Sequence, residues 1–203
     1  MLGVMRRVLA FSGKRYAGKD TLAGEVVAQA CARGVEVRTY AFAGESKRMF
    51  VGWQAGRGVE VELGRLVGDR AYKEAWRPKL TEFTVAALRE DPLVFCRAVA
   101  DRIAAEEGFA VVTDLRLRLE VEHLRSRFAL RVVRVERPDA LREAAGWRWT
   151  AGVDDHPTET ELDEPGLWDE VFVNDGTRGE RTGLHGPPGL AMAVAGRLPA
   201  WLG

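Results

Sequence analysis

Apolar residues fall along this chain in two rhythms that keep alternating, short unbroken runs and longer stretches with apolar positions three or four residues apart. Runs at Val8–Phe11, Phe109–Thr113 and Leu130–Val135 predict buried strands, and Val35–Phe42 and Glu170–Val173 predict two more. Leu22, Val26, Val27 and Ala30 recur at helical spacing ahead of Gly34, so a helix is expected from about Lys19 to Ala32. Gly44–Trp53 and Leu63–Gly68 predict short helices among breaking glycines. Tyr72–Arg89 is helical in pattern, and Pro78 leaves two readings, one helix or a break after Arg77. Asp91-Pro92 offers a cap and first residue for a helix carrying Phe95, Val99 and Ile103 on one side. Leu119–Phe128 and, after a loop over Gly183–Gly189, Leu190–Leu202 complete the helices. Strands that alternate with helices predict an α/β fold, a three-layer sandwich with a parallel sheet between helical layers.

One segment departs from the pattern. Residues 137–163 carry Arg142, Trp147, Arg148 and Trp149, then an acid-rich run of Asp154, Asp155, Glu159, Glu161 and Asp163 that ends at Glu164. Long charged insertions between strands serve as lids or binding loops, or form plain surface hairpins; a lid is the expectation here, within a single domain over 1–203.

The chemistry begins where the first strand ends. Gly13 and Gly18 stand five apart and Lys19 follows at once, which gives Gly13-Lys14-Arg15-Tyr16-Ala17-Gly18-Lys19 between a strand and a helix. Glycines let a loop turn several backbone N–H groups inward around a phosphate chain, the helix N-terminus adds positive potential, and the lysine reaches the outer phosphates. This is a P-loop, and it predicts ATP binding by residues 13–21. Asp20 stands where Ser or Thr usually places a hydroxyl on magnesium; a carboxylate serves Mg2+ directly or through water, and Thr21 is the other oxygen donor there. Asp114, at the carboxyl end of the Phe109–Thr113 strand, is the second expected magnesium-linked residue, with capping of the next helix as its plainer role.

Composition narrows the field. Thirty basic residues balance thirty acidic ones, which gives no general surface for nucleic acid or membrane. Only five of the basic residues are lysine, at positions 14, 19, 47, 73 and 79. Two distant cysteines, an ordinary apolar fraction and no signal-peptide pattern predict a cytoplasmic protein. Lys73 and Arg77, four apart, share a helix face and can meet one anion; Glu74 is their alternative local partner.

Taken together, FSGKRYAGKD, YKEAWR, DPLVFCR, VVTDLR, RVVRV and GVDD with its acidic run resemble the animal-type phosphomevalonate kinases, of the nucleoside monophosphate kinase-like P-loop group. The resemblance runs from Phe11 to about Asn174. It implies a monomeric kinase that moves the γ-phosphate of ATP to the phosphate of mevalonate 5-phosphate. It also implies catalytic roles for Lys14, Lys19, Asp20 and Arg116. Acceptor-side roles are implied for Lys47, Lys73, Arg77, Arg97, Asp114 and Arg116, and ATP contact for Lys14, Arg15 and Arg142. Three positions depart from the family pattern: Tyr16 for a basic or small residue, Leu117 for a second arginine after Arg116, and Ala145 for an arginine before Gly146-Trp147. The chain is also similar to phage-type deoxynucleoside monophosphate kinases, through Gly18-Lys19-Asp20-Thr21, Asp114-x-Arg116, His156-Pro157-Thr158-Glu159 and Asn174-Asp175-Gly176. The expected function is an ATP-dependent kinase acting on a small phosphate monoester, with a nucleoside monophosphate kinase or a non-enzymatic nucleotide switch as alternatives.

Overall fold

The computed structural model describes residues 5–176 and 188–202. In chain order they form β1 (Arg7–Ser12), α1 (Lys19–Cys31), β2 (Val37–Tyr40), α2 (Phe42–Ala55), α3 (Leu63–Gly68), α4 (Arg70–Glu90) and α5 (Val94–Ala105). After these come β3 (Phe109–Leu115), α6 (Arg118–Arg127), β4 (Ala129–Glu136), α7 (Asp139–Ala144), α8 (Pro157–Thr160), β5 (Glu170–Val173) and α9 (Pro188–Leu202). Contacts divide the chain into two compact units, one of Met1–Tyr40 with Ile103–Gly203 and one of Ala41–Arg102.

The first unit holds the sheet, ordered β2-β3-β1-β4-β5 with every neighbouring pair parallel. β1 lies at the centre, Ala10 level with Val112 on one side and Val132 on the other. A strand buried on both faces has no polar side to show, and Val8, Leu9, Ala10 and Phe11 are all buried. Leu9, Phe11, Val111, Val133, Val135 and Phe172 pack with Leu22, Val26 and Ala30 of α1 and with Val194, Leu198 and Trp201 of α9. The alternate residues Val8, Ala10, Ala110, Val112 and Val132 are equally buried, so helices cover both faces as the sequence predicts. The central strand leads into the phosphate loop, which therefore starts from the most buried backbone of the sheet.

The bounds of several elements differ from the sequence reading for local reasons. β2 starts at Val37 because the Val35 N–H turns back to Ala30 O (3.1 Å) to close α1, and it ends at Tyr40 because Phe42 opens α2. β3 continues to Leu115, which lies level with Ser12, so Asp114 is inside the strand and not past its end. Asp91 does cap, its Oδ1 accepting the Leu93 N–H (3.0 Å), with regular helix from Val94. Of the expected loop over Gly183–Gly189, residues 183–187 lie outside the described residues.

The second unit answers the question left by Pro78: α4 runs unbroken through it. Proline inside a helix costs about 3 kcal/mol or more. Here Tyr72 and Trp76 on one side of it and Leu80 and Phe83 on the other pack on one cluster of Phe50, Val61 and Leu66. Phe50 meets Trp76 and Phe83 edge-on at 5.9 and 5.7 Å between ring centres, contacts that offset the missing hydrogen bond.

The core of the first unit gives a stability prediction. Phe11 is fully buried and stands edge-on to Trp201 at 6.0 Å. Phe11→Ala should lower the unfolding free energy by about 3 to 5 kcal/mol. Chemical denaturation measures this, and a loss below about 1 kcal/mol would contradict the packing described.

Candidate active site

The phosphate loop is shaped by what stands against it. A Cβ on Gly13 would lie 2.7 Å from the Val135 carbonyl oxygen, so only glycine lets the loop leave β1 this close to β4. Gly18 has φ +92° at the foot of α1, and the Asn174 side chain after β5 donates to the neighbouring Ala17 carbonyl (2.9 Å). Tyr16, at φ 61°, is the one non-glycine with positive φ among the described residues, and its ring is half exposed. No side chain caps α1, whose first residues Lys19, Asp20 and Thr21 thus offer their N–H groups to an anion. Lys19 is buried, with Nζ 3.9 Å from Oδ1 of the exposed Asp20; Thr21 is exposed too.

Cations gather on this loop, and acidic residues from 154–163 meet them. Lys14 Nζ is 2.7 Å from Asp163, and Asp163 also pairs with the buried Arg134, whose Nη1 donates to Ser12 Oγ (3.1 Å). Arg142 donates through Nε to Arg15 O (3.0 Å) and through Nη1 to Asp139 (2.7 Å), and it stacks on Trp147 with 3.8 Å to the ring centre. Asp154 accepts from the Trp147 indole (2.9 Å) and the Thr150 N–H (2.8 Å), with Arg15 Nε 3.6 Å away. Although burial opposes it, these hydrogen bonds and the charges on Arg15 and Arg142 hold the Asp154 carboxyl below its ordinary range. Residues 137–163 thus fold back as α7, α8 and turns bound to the loop in several places.

Arg116 is fixed at both ends. Glu120 Oε2 accepts the N–H groups of Arg116 (2.7 Å) and Leu117 (2.9 Å), and the Arg116 guanidinium pairs with Glu159. Burial pushes the Glu120 carboxyl up to about 8, against the two backbone N–H groups; the nearby Asp114 charge adds to the rise.

Sheet topology agrees with this location. After β1 the chain crosses towards β2, and after β4 it crosses towards β5, so the direction of winding reverses between these two neighbouring strands. Ligands of open parallel sheets bind at the carboxyl ends of such a pair. A cavity of about 540 Å³ opens there, lined by Lys14 and Ala17 from the loop and by Arg134, Arg137, Arg142 and Trp149 among others. Arg137 Nε is a buried donor with no hydrogen-bond partner among the described residues.

The other expected cations belong to the second unit. Arg77 is exposed and donates to Glu74 through Nε (2.7 Å), which is the local partnership its spacing also allowed. Lys73 and Lys47 are half-buried on α4 and α2, and Arg97 pairs with Asp91. The Arg77 hydrogen bond, and then the charges of Arg77 and Lys73, hold the Glu74 carboxyl below its ordinary range, so both cations bear on this one carboxylate. In the first unit Arg15 and Arg116 meet on Glu159, one through its backbone N–H and the other through its guanidinium, and Lys14 and Arg134 meet on Asp163. Sequence reasoning passed over Arg134, Arg137, Glu159 and Asp163 as site residues. A signal for Arg134 was present, a charge inside the buried run Leu130–Val135, and the acid-rich run was the signal for its partners.

Comparison with known proteins is decisive at this point. The family model described as phosphomevalonate kinase matches residues 11–130. The chain belongs to this family. Phosphomevalonate kinase from Drosophila melanogaster is 29% identical over 178 residues, spanning 84% of this chain and 89% of that protein. Among solved structures, the APS kinase CysC of Mycobacterium tuberculosis, in complex with AMPPNP and APS, superposes with a TM-score of 0.50 at 14% identity. That match covers 98% of this chain and 99% of the other, and it supports the P-loop kinase type of α/β fold. Family membership reaches from the phosphate loop through Arg116; the acidic run lies beyond the matched stretch.

Glu120 carries a pH prediction for this kinase. Its carboxyl titrates near 4.5 when unfolded and at about 8 when folded, so the folded state holds the extra proton between these values. Stability from this group is full below about 4.5 and is lost as pH rises through about 8. Thermal unfolding of Glu120→Gln should show a weaker decline between pH 5 and 8 than the parent chain; parallel curves would contradict the assignment.

Proposed function

We propose that this protein transfers the γ-phosphate of ATP to the phosphate of mevalonate 5-phosphate, giving the diphosphate and ADP. An oxygen of the acceptor phosphate forms the new P–O bond, and the bond to the β-phosphate oxygen breaks with its electron pair leaving on ADP. The acceptor oxygen is already anionic at neutral pH, so no strong general base is required. Positioning and charge neutralisation carry the catalysis. The observation that carries the reading is the buried Lys19 at the uncapped start of α1, in a loop where neither Gly13 nor Gly18 has room for a Cβ.

Each residue then has a task. Backbone N–H groups over 13–21, apart from those of Arg15 and Ala17, cradle the triphosphate, Lys19 and Lys14 meet its outer oxygens, and Arg116 balances charge on the group in transit. The cavity beside β4 takes the rest of the nucleotide, with Arg137 Nε as a waiting donor and Arg142 holding the loop from below. Lys47, Lys73, Arg77 and Arg97 recognise the acceptor's anionic groups, with Arg77 and Arg97 exchanging carboxylate partners for substrate. Mg2+ accompanies ATP. Asp20, an exposed hard oxygen ligand beside Lys19, would hold it, with Thr21 next along α1 and Asp114 as the second carboxylate of this reading. One or two carboxylates with phosphates and water is the usual protein share of such a site, and the ion supplies charge neutralisation between the phosphates. A cytoplasmic monomer goes with this reading.

ADP release in a coupled assay with ATP and Mg2+ tests it, with mevalonate 5-phosphate compared against a panel of nucleoside monophosphates. Turnover is expected with mevalonate 5-phosphate, and Lys19→Ala should lower kcat at least about 100-fold with the fold intact by circular dichroism. Turnover only with a nucleoside monophosphate would overturn the acceptor, and full activity of Lys19→Ala would overturn the mechanism.

A further inference from the structure

His156-Pro157-Thr158-Glu159 is a motif that phosphate and acceptor binding leave without a task. Its structure supplies one. His156 caps α8, its ring nitrogen accepting the Thr158 N–H (3.3 Å) and facing Thr158 Oγ1 (2.9 Å), and Pro157 fits the first helical position. This fixed turn delivers Glu159 into a buried place with a side chain only 5% exposed. There the two carboxylate oxygens divide their work: Oε2 accepts the Arg15 N–H of the phosphate loop (2.8 Å), and Oε1 pairs with Arg116.

A bare carboxylate against a phosphate loop would repel the triphosphate. Paired with a guanidinium it adds no net charge, and its second oxygen ties that guanidinium to the loop's own backbone. Arginine has a long stem with about 2 kcal/mol of rotamer entropy, so an untethered Arg116 would seldom occupy one place. Here its backbone is held by Glu120 and its head by Glu159. Among the described residues the head's hydrogen bonds, to Glu159 and to Thr158 O (3.4 Å), both use Nη1. The Nε and Nη2 side of the fork has no hydrogen-bond partner among them and can meet an anion.

We infer that Glu159 is a positioning residue, which sets the Arg116 guanidinium at a fixed distance from the phosphate loop so that its charge meets the phosphoryl group in transit. This rests on the proposed role of Arg116 in transfer. Glu161 and Glu164 support the same docking, Glu161 accepting the Arg118 N–H (2.8 Å) and Glu164 pairing with the Arg118 side chain. The segment carrying Glu159 is thus fastened to the β3–α6 turn on one side and to the phosphate loop on the other.

A double-mutant cycle tests this with kcat, the KM for ATP and the unfolding temperature as readouts. Glu159→Gln keeps the volume but sets an N–H2 against one of the two donors. It should lower kcat about 10- to 100-fold and leave the KM for ATP within about threefold, because a misplaced charge costs transition-state stabilisation more than ground-state binding. Arg116→Ala should lower kcat at least as far, and the double variant should be no worse than Arg116→Ala alone. Should Glu159→Gln not fold, Glu159→Asp keeps the charge, withdraws it by one methylene, and must show the same loss only when Arg116 is present. Three results would overturn the inference: wild-type kcat in the folded Glu159 variant, multiplying effects in the double variant, or a lower KM for ATP at unchanged kcat. The last would mean that Glu159 competes with the triphosphate. Wild-type turnover by Arg116→Ala would instead remove the transfer role of Arg116, and the inference with it.

Discussion

The phosphate loop of this kinase has no slack. Gly13 passes so close to the Val135 carbonyl that a single added carbon would sit 2.7 Å from the oxygen. Such an approach is possible only because β1 and β4 are neighbours in register, with Phe11 level with Val133 and Ser12 with Arg134. Core packing therefore sets the loop's position before any charge acts. Leu9, Phe11, Val133 and Val135 anchor the two strands on α1 and α9, and the loop joins β1 to α1 beside that core.

Charge then fixes what the packing has brought near. Arg134 is the clearest case, a buried arginine in an otherwise apolar strand, satisfied by Ser12 at one Nη and Asp163 at the other. Removing one partner of a buried ion pair costs several kcal/mol, whereas the same pair at the surface is worth about 0 to 1. The pairs of Arg134 with Asp163 and Arg116 with Glu159 stand between these limits, one partner of each being buried and the other about a third exposed, whereas Arg77 with Glu74 is exposed on both sides and stands at the surface limit. Those beside the loop hold structure; the exposed one costs little to break.

This contrast explains what the sequence disclosed and what it withheld. The loop, the five strands and the helices after β1, β2, β3 and β5 were legible because they follow from short-range pattern: apolar runs, glycine spacing, a lysine at a helix start; α7 after β4 was not, since it lies in the charged segment 137–163. The limits of β2 were not, since they depend on Val35 being spent on closing α1. The continuity of α4 through Pro78 rests on Phe50, Val61 and Leu66, residues far away in sequence. Resemblance to a family brought Arg116 forward, but nothing local to Arg116 points 43 positions along to Glu159. An acidic run is normally a solvated face; here Glu159 is buried and Asp163 is shared between two cations, and only the fold tells these two from Glu164 and Asp155 beside them.

The two buried glutamates around Arg116 show how similar groups are set to different ends. Glu120 meets only uncharged backbone donors, and burial outweighs them, so its proton is retained to about 8. Glu159, of comparable burial, faces a guanidinium as well as a backbone N–H, so each of its oxygens has its own partner. A carboxyl held by N–H groups alone fixes the turn after β3 without adding a charge near Asp114. A carboxylate paired with arginine fixes the cation itself. Backbone and side chain of Arg116 are thus held by separate groups, and the cation is ordered before substrate arrives, which is the condition for electrostatic stabilisation of a phosphoryl group in flight.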